Sequence, residues 1–402
     1  MLRITLISHS FAPELGAAPS RLKDMVVGLS EAGFEVDVLT ALPNYPLGKI
    51  FDKYRNKWFV QEQLNEINIR RHWLIPSNND KLWSRLLSMV SLSVTVLLFS
   101  AWHVLKRKPH FIIVQYPPVL LPLVGWLLAR LTKAKFILNV SDLWPSAIQE
   151  LGLLSAKSWY YRQLEKIENF LYRRATYCLA QSNEILQHIR EKKQLRVLLY
   201  RTGVNCQLFE QKTDYSRKKG EKLKITYMGV LGVAQGMLQI CQEINFDELN
   251  MELHIFGEGY EKEKIRKFLE STGERGIFLH SMVHPQGVPA ILRSFDAVLV
   301  AQKKSLKGTL PSKLYEAMAV GLPILYHGGG EGAQIVLEYQ CGWVSPPEDI
   351  AALCKNLEKF ARASLTEIVS MGNNGRRAAV SQFERRDQIA KLIRLLETGE
   401  LI

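Results

Sequence analysis

Four hundred and two residues, 47% of them hydrophobic and 23% charged, are too many for one ordinary core and too apolar for a disordered or fibrous chain, so two domains are expected. Five scattered cysteines (Cys178, Cys206, Cys241, Cys341, Cys354) with no CxxC pair argue against a disulfide frame or a zinc site and suit a reducing compartment. The net charge of +13 is uneven: residues 1–200 hold 26 Lys and Arg against 15 Asp and Glu, whereas residues 201–402 hold 26 against 24, so an anionic surface is the expected partner of the first half. Nucleic acid and the anionic inner leaflet of a membrane both meet that description. No nucleic-acid module has convincing spacing, so the membrane leads and nucleic acid is not expected.

Met1-Leu-Arg-Ile-Thr-Leu-Ile-Ser reads as a buried strand and not as a secretory signal. The loop His9–Arg21 follows it, with Glu14 and Gly16, then a helix Leu22–Ala32 and a strand from Glu35. In open α/β sheets such a loop lies where ligands bind, outside the carboxyl ends of strands. It lacks the GxGxxG fingerprint, and spacing alone favours a plain strand-to-helix turn for Gly16. Pro43 to Ile50, with Asn44 and Tyr45, follows the second strand.

Leu86–His103 carries no formal charge but contains four serines and a threonine, with Lys81 and Arg85 before it and Lys106-Arg-Lys after it. Crossing a bilayer takes ~20 apolar residues, so a span is not expected. A buried core helix and a helix lying in the lipid interface both fit, the second favoured by Trp83 and Trp102 at the ends.

Phe111 starts another strand, a strongly apolar helix follows Pro117, and the strand from Lys135 runs into Ser141-Asp142-Leu143-Trp144-Pro145. Asp142 there either faces a ligand site or caps the next helix. A helix Trp159–Ala175 places Glu165, Lys166 and Glu168 on polar positions, a strand begins at Tyr177, and Ser182 is a helix cap. The polar stretch Lys212–Lys224 reads as a linker.

A second βαβ series begins at Leu223, with a glycine loop Gly229–Gly236 that includes Gly232 and turns bare amides toward a ligand. Gly257 ends the next strand, and Val283-His-Pro follows another. The densest stretch is Gly308–Gly332. Pro311 and Ser312 start a helix, with Ser312 as cap, Leu314, Met318 and Ala319 form its buried face, and Gly321 ends it. A short strand from Pro323 leads to Gly328-Gly329-Gly330-Glu331-Gly332 at the start of another helix. Amides and a positive dipole end at that point suit a phosphate. Lys313 adds a cation, and Glu316, a turn further on, can accept two hydrogen bonds from a sugar diol. A plain tight turn also fits these glycines taken alone. The helices Leu353–Phe360 and Gln388–Leu396 are expected to pack across a domain junction.

The whole phrase Pro311-Ser-Lys-Leu-Tyr315-Glu-Ala-Met-Ala-x-Gly-x-Pro followed by Gly-Gly-Glu-Gly-Ala resembles the donor site of glycosyltransferase family 4, in its bacterial O-antigen and exopolysaccharide (colanic-acid type) branch. That resemblance implies the GT-B fold: two Rossmann-like domains facing a cleft, with the final helix returning to the N-terminal domain. The expected division is 1–205 for the acceptor, with 385–402 packed back on it, and 206–384 for a nucleotide sugar. It implies donor contacts from Gly229, Gly232, Gly257, Val283, Pro311, Ser312, Lys313, Tyr315, Glu316 and Gly328 to Gly332. Acceptor-side residues would be His9, Glu14, Gly16, Arg21, Asn44, Tyr45, Asp142 and Trp144, with Lys313, Glu316 and Asp142 closest to the chemistry.

Four positions depart from the family. Ser141 stands where many relatives have a histidine, Val230 and Gln235 where many have an arginine and a lysine, and Gly308 where the partner of Glu316 would be. The activity implied is retaining transfer of a sugar (an N-acetylated hexosamine or a deoxyhexosamine) from a nucleotide-diphosphate donor, UDP above others, to a polyprenyl-diphosphate-linked acceptor in surface polysaccharide synthesis. No cofactor or metal is expected, since no DxD pair is present. The expected location is cytoplasmic, peripheral on the inner face of the membrane through the basic first domain and the 82–106 helix. A nucleotide-sugar 2-epimerase on the same fold and a non-catalytic nucleotide-binding partner are the alternatives.

Overall fold

Two parallel α/β sheets build two compact units, and the chain visits the first of them twice: Met1–Thr202 and Arg386–Ile402 form one, Gly203–Arg385 the other. The structure is a computed structural model that describes residues 1–14, 16–45, 48–77, 82–150, 154–192, 194–215, 220–304 and 307–401, without the side chains of Leu82, Trp83 and Arg85. The expected flanks Lys81, Trp83 and Arg85 therefore lie outside the described residues or side chains, as do Leu15, part of the Pro43–Ile50 stretch and part of the expected linker.

The first unit opens with β1 (Arg3–Ile7), α1 (Ala17–Glu31), β2 (Glu35–Ala41), β3 (Phe59–Leu64), β4 (Ile67–His72), α2 (Leu82–Arg107) and β5 (Phe111–Tyr116). It continues through α3 (Leu121–Thr132), β6 (Lys135–Val140), α4 (Ser146–Glu150), α5 (Trp159–Arg174), β7 (Tyr177–Ala180), α6 (Asn183–Glu191) and β8 (Val197–Leu199). The sheet order is β3-β4-β2-β1-β5-β6-β7-β8, parallel except for the β3–β4 hairpin. The central strands are apolar along their whole length because helices cover both faces: Ile112 and Val114 enter one core, Ile113 the other.

The second unit comprises β9 (Leu223–Val230), α7 (Met237–Glu243), β10 (Met251–Glu258), α8 (Lys262–Thr272), β11 (Ile277–His280), α9 (Val288–Leu292) and β12 (Ala297–Ala301). Then come α10 (Ser312–Val320), β13 (Ile324–His327), α11 (Gly330–Glu338), β14 (Gly342–Ser345), α12 (Ile350–Arg362) and α13 (Leu365–Gln382). Its strands run in the order β11-β10-β9-β12-β13-β14, all parallel. The last helix, α14 (Arg385–Thr398), returns to the first unit, where Leu392, Leu395 and Leu396 join the core that holds Leu22 and Met25 of α1. Ile389 lies against Gly28, a site with no room for a Cβ. The expected return of the final helix is what the structure shows.

Several local expectations are corrected. The helix expected at Leu22 begins at Ala17, so Arg21 is helical and not part of a loop. Glu168 is buried, accepting from the Tyr172 hydroxyl at 3.1 Å and lying 3.0 Å from His188 Nε2, so it is not on a solvent face. The segment read as a linker is anchored in the second unit, where Tyr215 is buried and donates to the Gly321 carbonyl at 2.6 Å. Helix α12 packs Leu353, Leu357 and Phe360 into the second unit's own core and spans no junction. Ser182 caps α6 as expected, accepting from the Ile185 amide at 3.2 Å.

His72 ties β4 to α2: its Nδ1 meets the Thr40 carbonyl at 3.0 Å and its Nε2 the Ser100 hydroxyl at 2.7 Å. Burial lowers its pKa to about 4, so the folded protein keeps it neutral. As pH falls from 6.5 toward 4, the unfolded chain takes up a proton that the folded chain refuses. Stability is therefore flat above pH 6.5 and drops below it, by up to about 3 kcal/mol from this residue. Urea unfolding between pH 8 and 4 should show that decline, and His72→Gln should flatten part of it. A decline of the same size in the variant would assign it to other groups.

Candidate functional site

Parallel pairing places the carboxyl ends of β9, β10, β11, β12 and β13 on one rim of the second sheet. The strand order reverses between β9 and β12, since the chain proceeds to β10 and β11 on one side and to β13 and β14 on the other. Ligands of open α/β sheets bind outside such a switch point. The loops flanking it here are Gly229–Gly236 after β9 and residues 302–311 after β12.

These loops are tied together. The Lys303 amide donates to the Ala234 carbonyl at 2.8 Å, and the aliphatic stem of Lys303 lies on Gly236, where a Cβ would meet its Cβ at 2.8 Å. Its ammonium makes no hydrogen bond or ion pair among the described residues. Lys303, half-buried, thus sets a free cation beside the uncharged loop Gly229–Gly236. Sequence reading missed it. The signal was present in Lys303-Lys304-x-x-Lys307 directly after a buried strand, but only the fold brings that segment to Gly236.

Helix α10 starts at Ser312 with Pro311 as its N-cap residue, and no side chain caps it. Ser312 is therefore inside the helix, which corrects its reading as the cap. Lys313 and Glu316 project from one face, and the ammonium meets both carboxylate oxygens, at 2.9 and 3.1 Å. Tyr315 points the other way: it is fully buried, its ring 4.9 Å from that of Phe383. It anchors the helix to the core, and its expected donor contact is withdrawn. Gly308 has φ +84° in the turn before the helix, a conformation that a glutamate at this position would strain.

The glycine turn divides into supporting and open parts. The Gly328 amide donates to the Ser345 carbonyl at 2.9 Å, so it is spent within the fold and offers a ligand nothing. Gly329 is the N-cap of α11, no side chain caps this helix, and the first-turn amides of Gly330, Glu331 and Gly332 are the ones such a helix start leaves without intrahelical partners. Glu331 is buried, so its carboxylate is turned into the fold and not onto the surface of the turn. Beneath the turn the fully buried Tyr326 donates to Gln302 Oε1 at 2.6 Å, and its hydroxyl lies 3.4 Å from the Gly329 carbonyl oxygen. The helix start descends so closely onto this hydroxyl that a Cβ on Gly332 would stand 2.1 Å from it. Tyr326 was not singled out from the sequence, because an aromatic in a buried strand looks like core.

Gly229 and Gly257 sit side by side in the β9–β10 register, Gly232 lies in the first loop, and Val283 packs against the core beside α9. The amides expected to be bare at α7 are partly taken: Leu238 donates to the buried Glu261 carboxylate at 3.2 Å. Among the described residues no three His, Cys, Asp or Glu side chains gather as a metal would require.

In the first unit the strand-end rim carries His9 after β1, Asn44 and Tyr45 after β2, and Asp142 and Trp144 after β6. Three of the expected acceptor-side residues prove internal. Glu14 is buried and accepts from the amides of Asn44 at 2.8 Å, Tyr45 at 2.9 Å and Phe11 at 3.2 Å, stapling one loop to the next. Burial raises its pKa, against those amides. Asn44 is buried beside it and donates to the Leu42 carbonyl. Arg21 is buried in α1, donating to Gln181 at 2.7 Å and Gln115 at 3.1 Å. His9, Gly16, Tyr45, Asp142 and Trp144 keep some surface. Burial lowers the His9 pKa to about 4, so it is neutral at pH 7. Ser141 Oγ, accepting from Gln115 Nε2 at 2.7 Å, lies 3.3 Å from Asp142 Oδ2, which ties the carboxylate to the end of β6.

This arrangement of two parallel sheets, open helix starts at a switch point and a final helix returning to the first unit is the GT-B architecture. Residues 16–197 match the glycosyl transferase 4-like domain, and residues 223–363 match glycosyl transferases group 1. The chain belongs to the GT-B glycosyltransferases of family 4 and is a transferase enzyme. A protein of Escherichia coli K12 named as the colanic acid biosynthesis glycosyl transferase WcaI is 25% identical over 342 residues, 80% of this chain and 82% of that one. Sucrose-phosphate synthase from Thermosynechococcus elongatus superposes with a TM-score of 0.76 at 16% identity over 100% of both chains. Anabaena HepE, described in complex with UDP and glucose, gives 0.69 at 12% identity over 99% of this chain and 100% of its own.

Gly332→Ala should push α11 off Tyr326 and cost about 1–3 kcal/mol of stability. Urea unfolding measures this, and an unchanged midpoint would mean that the close approach carries no constraint.

Proposed function

We propose that the enzyme transfers a sugar from a nucleotide diphosphate, UDP above others, to a polyprenyl-diphosphate-linked acceptor at the surface of a membrane, in the synthesis of a surface polysaccharide. The observation that carries the reading is the junction of the Lys303 stem, the Gly236 loop and the uncapped starts of α10 and α11 around one switch point. The solved relative described with UDP and glucose supports the donor class, and the relative named for colanic acid synthesis supports the pathway class.

As the glycosidic bond opens, negative charge grows on the departing diphosphate. Amides of Gly330 to Gly332 and the ammoniums of Lys303 and Lys313 would meet it without reorganisation. These groups supply the charge that a metal supplies in other transferases, so the reaction is proposed to need none. Lys313 is held by Glu316 before the donor arrives. In the loaded enzyme Glu316 would accept from the ribose hydroxyls, leaving the lysine for phosphate. Retention of configuration is proposed, the acceptor attacking from the face the diphosphate leaves, so that a phosphate oxygen takes the proton. Asp142, fixed by Ser141, and the neutral His9 and Tyr45 are assigned to orienting the acceptor, and the sugar is assigned to the N-acetylated hexosamines or deoxyhexosamines.

Incubation of the protein with UDP sugars and polyprenyl-diphosphate saccharides should release UDP and extend the lipid-linked saccharide. Release of an epimerised free sugar instead would overturn the transferase reading. Glu316→Ala should raise the donor KM through one or two lost hydrogen bonds of about 1.5–3 kcal/mol each, and donor kinetics equal to wild type would remove Glu316 from the site. Lys303→Ala should weaken UDP about 10- to 100-fold by calorimetry, the loss of one charge-assisted bond, with Lys304→Ala as the control. Equal weakening in both variants would reduce Lys303 to a diffuse field.

A further inference from the structure

Helix α2 buries one mixed face in the core and leaves a second, apolar face outside. The residues it buries include Ser88, Thr95 and Ser100 alongside Leu92, Val96 and Val104. The apolar residues it leaves outside include Leu87, Val90, Val94, Leu98 and Trp102, a stripe at three- and four-residue spacing, with Leu98 73% and Trp102 78% exposed, and Phe99 beside it stacks on Phe59. On the packed neighbour α3, Leu127 and Leu131 are exposed one turn apart. Large apolar residues aligned outward over two adjacent helices form a patch of the kind that marks an interaction site.

The charge around the stripe identifies what covers it. Lys106 continues the Val90–Val94–Leu98–Trp102 row by one more turn, and it is exposed. Lys106 on α2 and Arg130 on α3 are exposed, neither helix carries an acidic residue, and Arg107 is turned inward onto Glu35 and Asp37. Apolar residues ending in a tryptophan and then a lysine, in a setting of one sign, match an anionic lipid surface: acyl chains for the leucines and valines, the headgroup boundary for the indole, phosphates for the lysine.

The inner face decides how the helix meets that surface. At 26 residues, α2 is about 39 Å long, and Leu86–Arg107 would suffice to cross a bilayer by length and composition. It is held down along its length instead. Ser91 accepts from the Ile75 amide at 2.9 Å, Thr95 donates to the Trp73 carbonyl at 2.7 Å, Ser100 meets His72 at 2.7 Å, and His103 and Arg107 both reach the buried Asp37, at 3.1 and 2.5 Å. Leaving the sheet to span a membrane would break all five contacts and strand Asp37 in the core.

We propose that α2, with the outer edge of α3, lies in the plane of an anionic membrane and sinks its Leu87–Trp102 stripe into the acyl boundary while remaining part of the first unit's fold. This rests on the lipid-linked acceptor reading, because an acceptor embedded in lipid requires the enzyme to stay at the bilayer surface.

The test uses the full chain and vesicles of phosphatidylcholine with and without phosphatidylglycerol. Wild type should sediment with the anionic vesicles, far less with the neutral ones, and should wash off at alkaline pH as a peripheral protein does. Brominated acyl chains should quench its tryptophan fluorescence, and Trp102→Phe should lose that quenching. The variant Val94→Ser/Leu98→Ser/Trp102→Ser should stay in the supernatant with an unchanged melting temperature, since all three side chains are already exposed. Wild type that ignores both vesicles overturns the proposal, as does wild type that resists the alkaline wash as a spanning protein. So does a wild-type dimer that the triple variant turns into a monomer, since the stripe would then be covered by a second copy. UDP binding measured on the same preparations separates the two readings, because loss of vesicle binding with UDP binding intact removes only the membrane surface.

Discussion

Parallel strand pairing is the constraint from which the rest of this enzyme follows. A parallel sheet sends every connection back across a face, so it collects all the strand-to-helix loops on one rim, and a reversal of strand order opens a space between two of them. In the second unit the reversal lies between β9 and β12. The loops from these two strands supply Gly236 and Lys303, and the next strand, β13, supplies the start of α11. No residue of this set needs to be near another in sequence for the rim to assemble them.

Charge is redistributed across that rim. The glycine loop Gly229–Gly236 is neutral, and a cation arrives from the adjacent loop with its stem laid over Gly236. The arrangement is possible because a lysine stem covers apolar backbone while its head stays free. Lys313 and Glu316 satisfy each other in the meantime, which keeps two charges on a short helix from being left unbalanced. Support comes from below: Tyr326 and Gln302 hold the glycine turn, as Gln115 and Ser141 hold Asp142 in the first unit. In both units a buried polar side chain at a strand end fixes a loop that carries chemistry.

The first unit spends several polar residues on internal ties that look like ligand groups from outside the fold. Glu14, Asn44 and Arg21 all lie near the rim, yet each is turned inward to satisfy backbone amides, a carbonyl or neighbouring amide side chains. Buried polar groups need such partners, and loops that cross a rim have many amides to offer. Helix α2 is the opposite case: an apolar stripe faces outward, while serine, threonine, histidine and arginine face in beside Leu92, Val96 and Val104.

The sequence by itself determined the fold class, the alternation of strands and helices, the strand-to-glycine-turn-to-helix pattern at Pro323–Gly332 and the placement of Lys313 and Glu316 about one turn apart on one helix. Each of these rests on local periodicity or on residues a single turn apart, which spacing encodes directly. The β3–β4 hairpin and helix α13 escaped because polar residues interrupt their apolar ones and because β4 and α13 are positioned by partners far away in the chain, β2 and α10. Only the tertiary structure decided that Tyr315 is core, that Glu14 and Arg21 are ties, that Lys303 lies on Gly236 and that α2 turns its apolar side outward. All four depend on which side of an element meets a neighbour far away in the chain, and periodicity shows that a stripe exists without showing what lies against it.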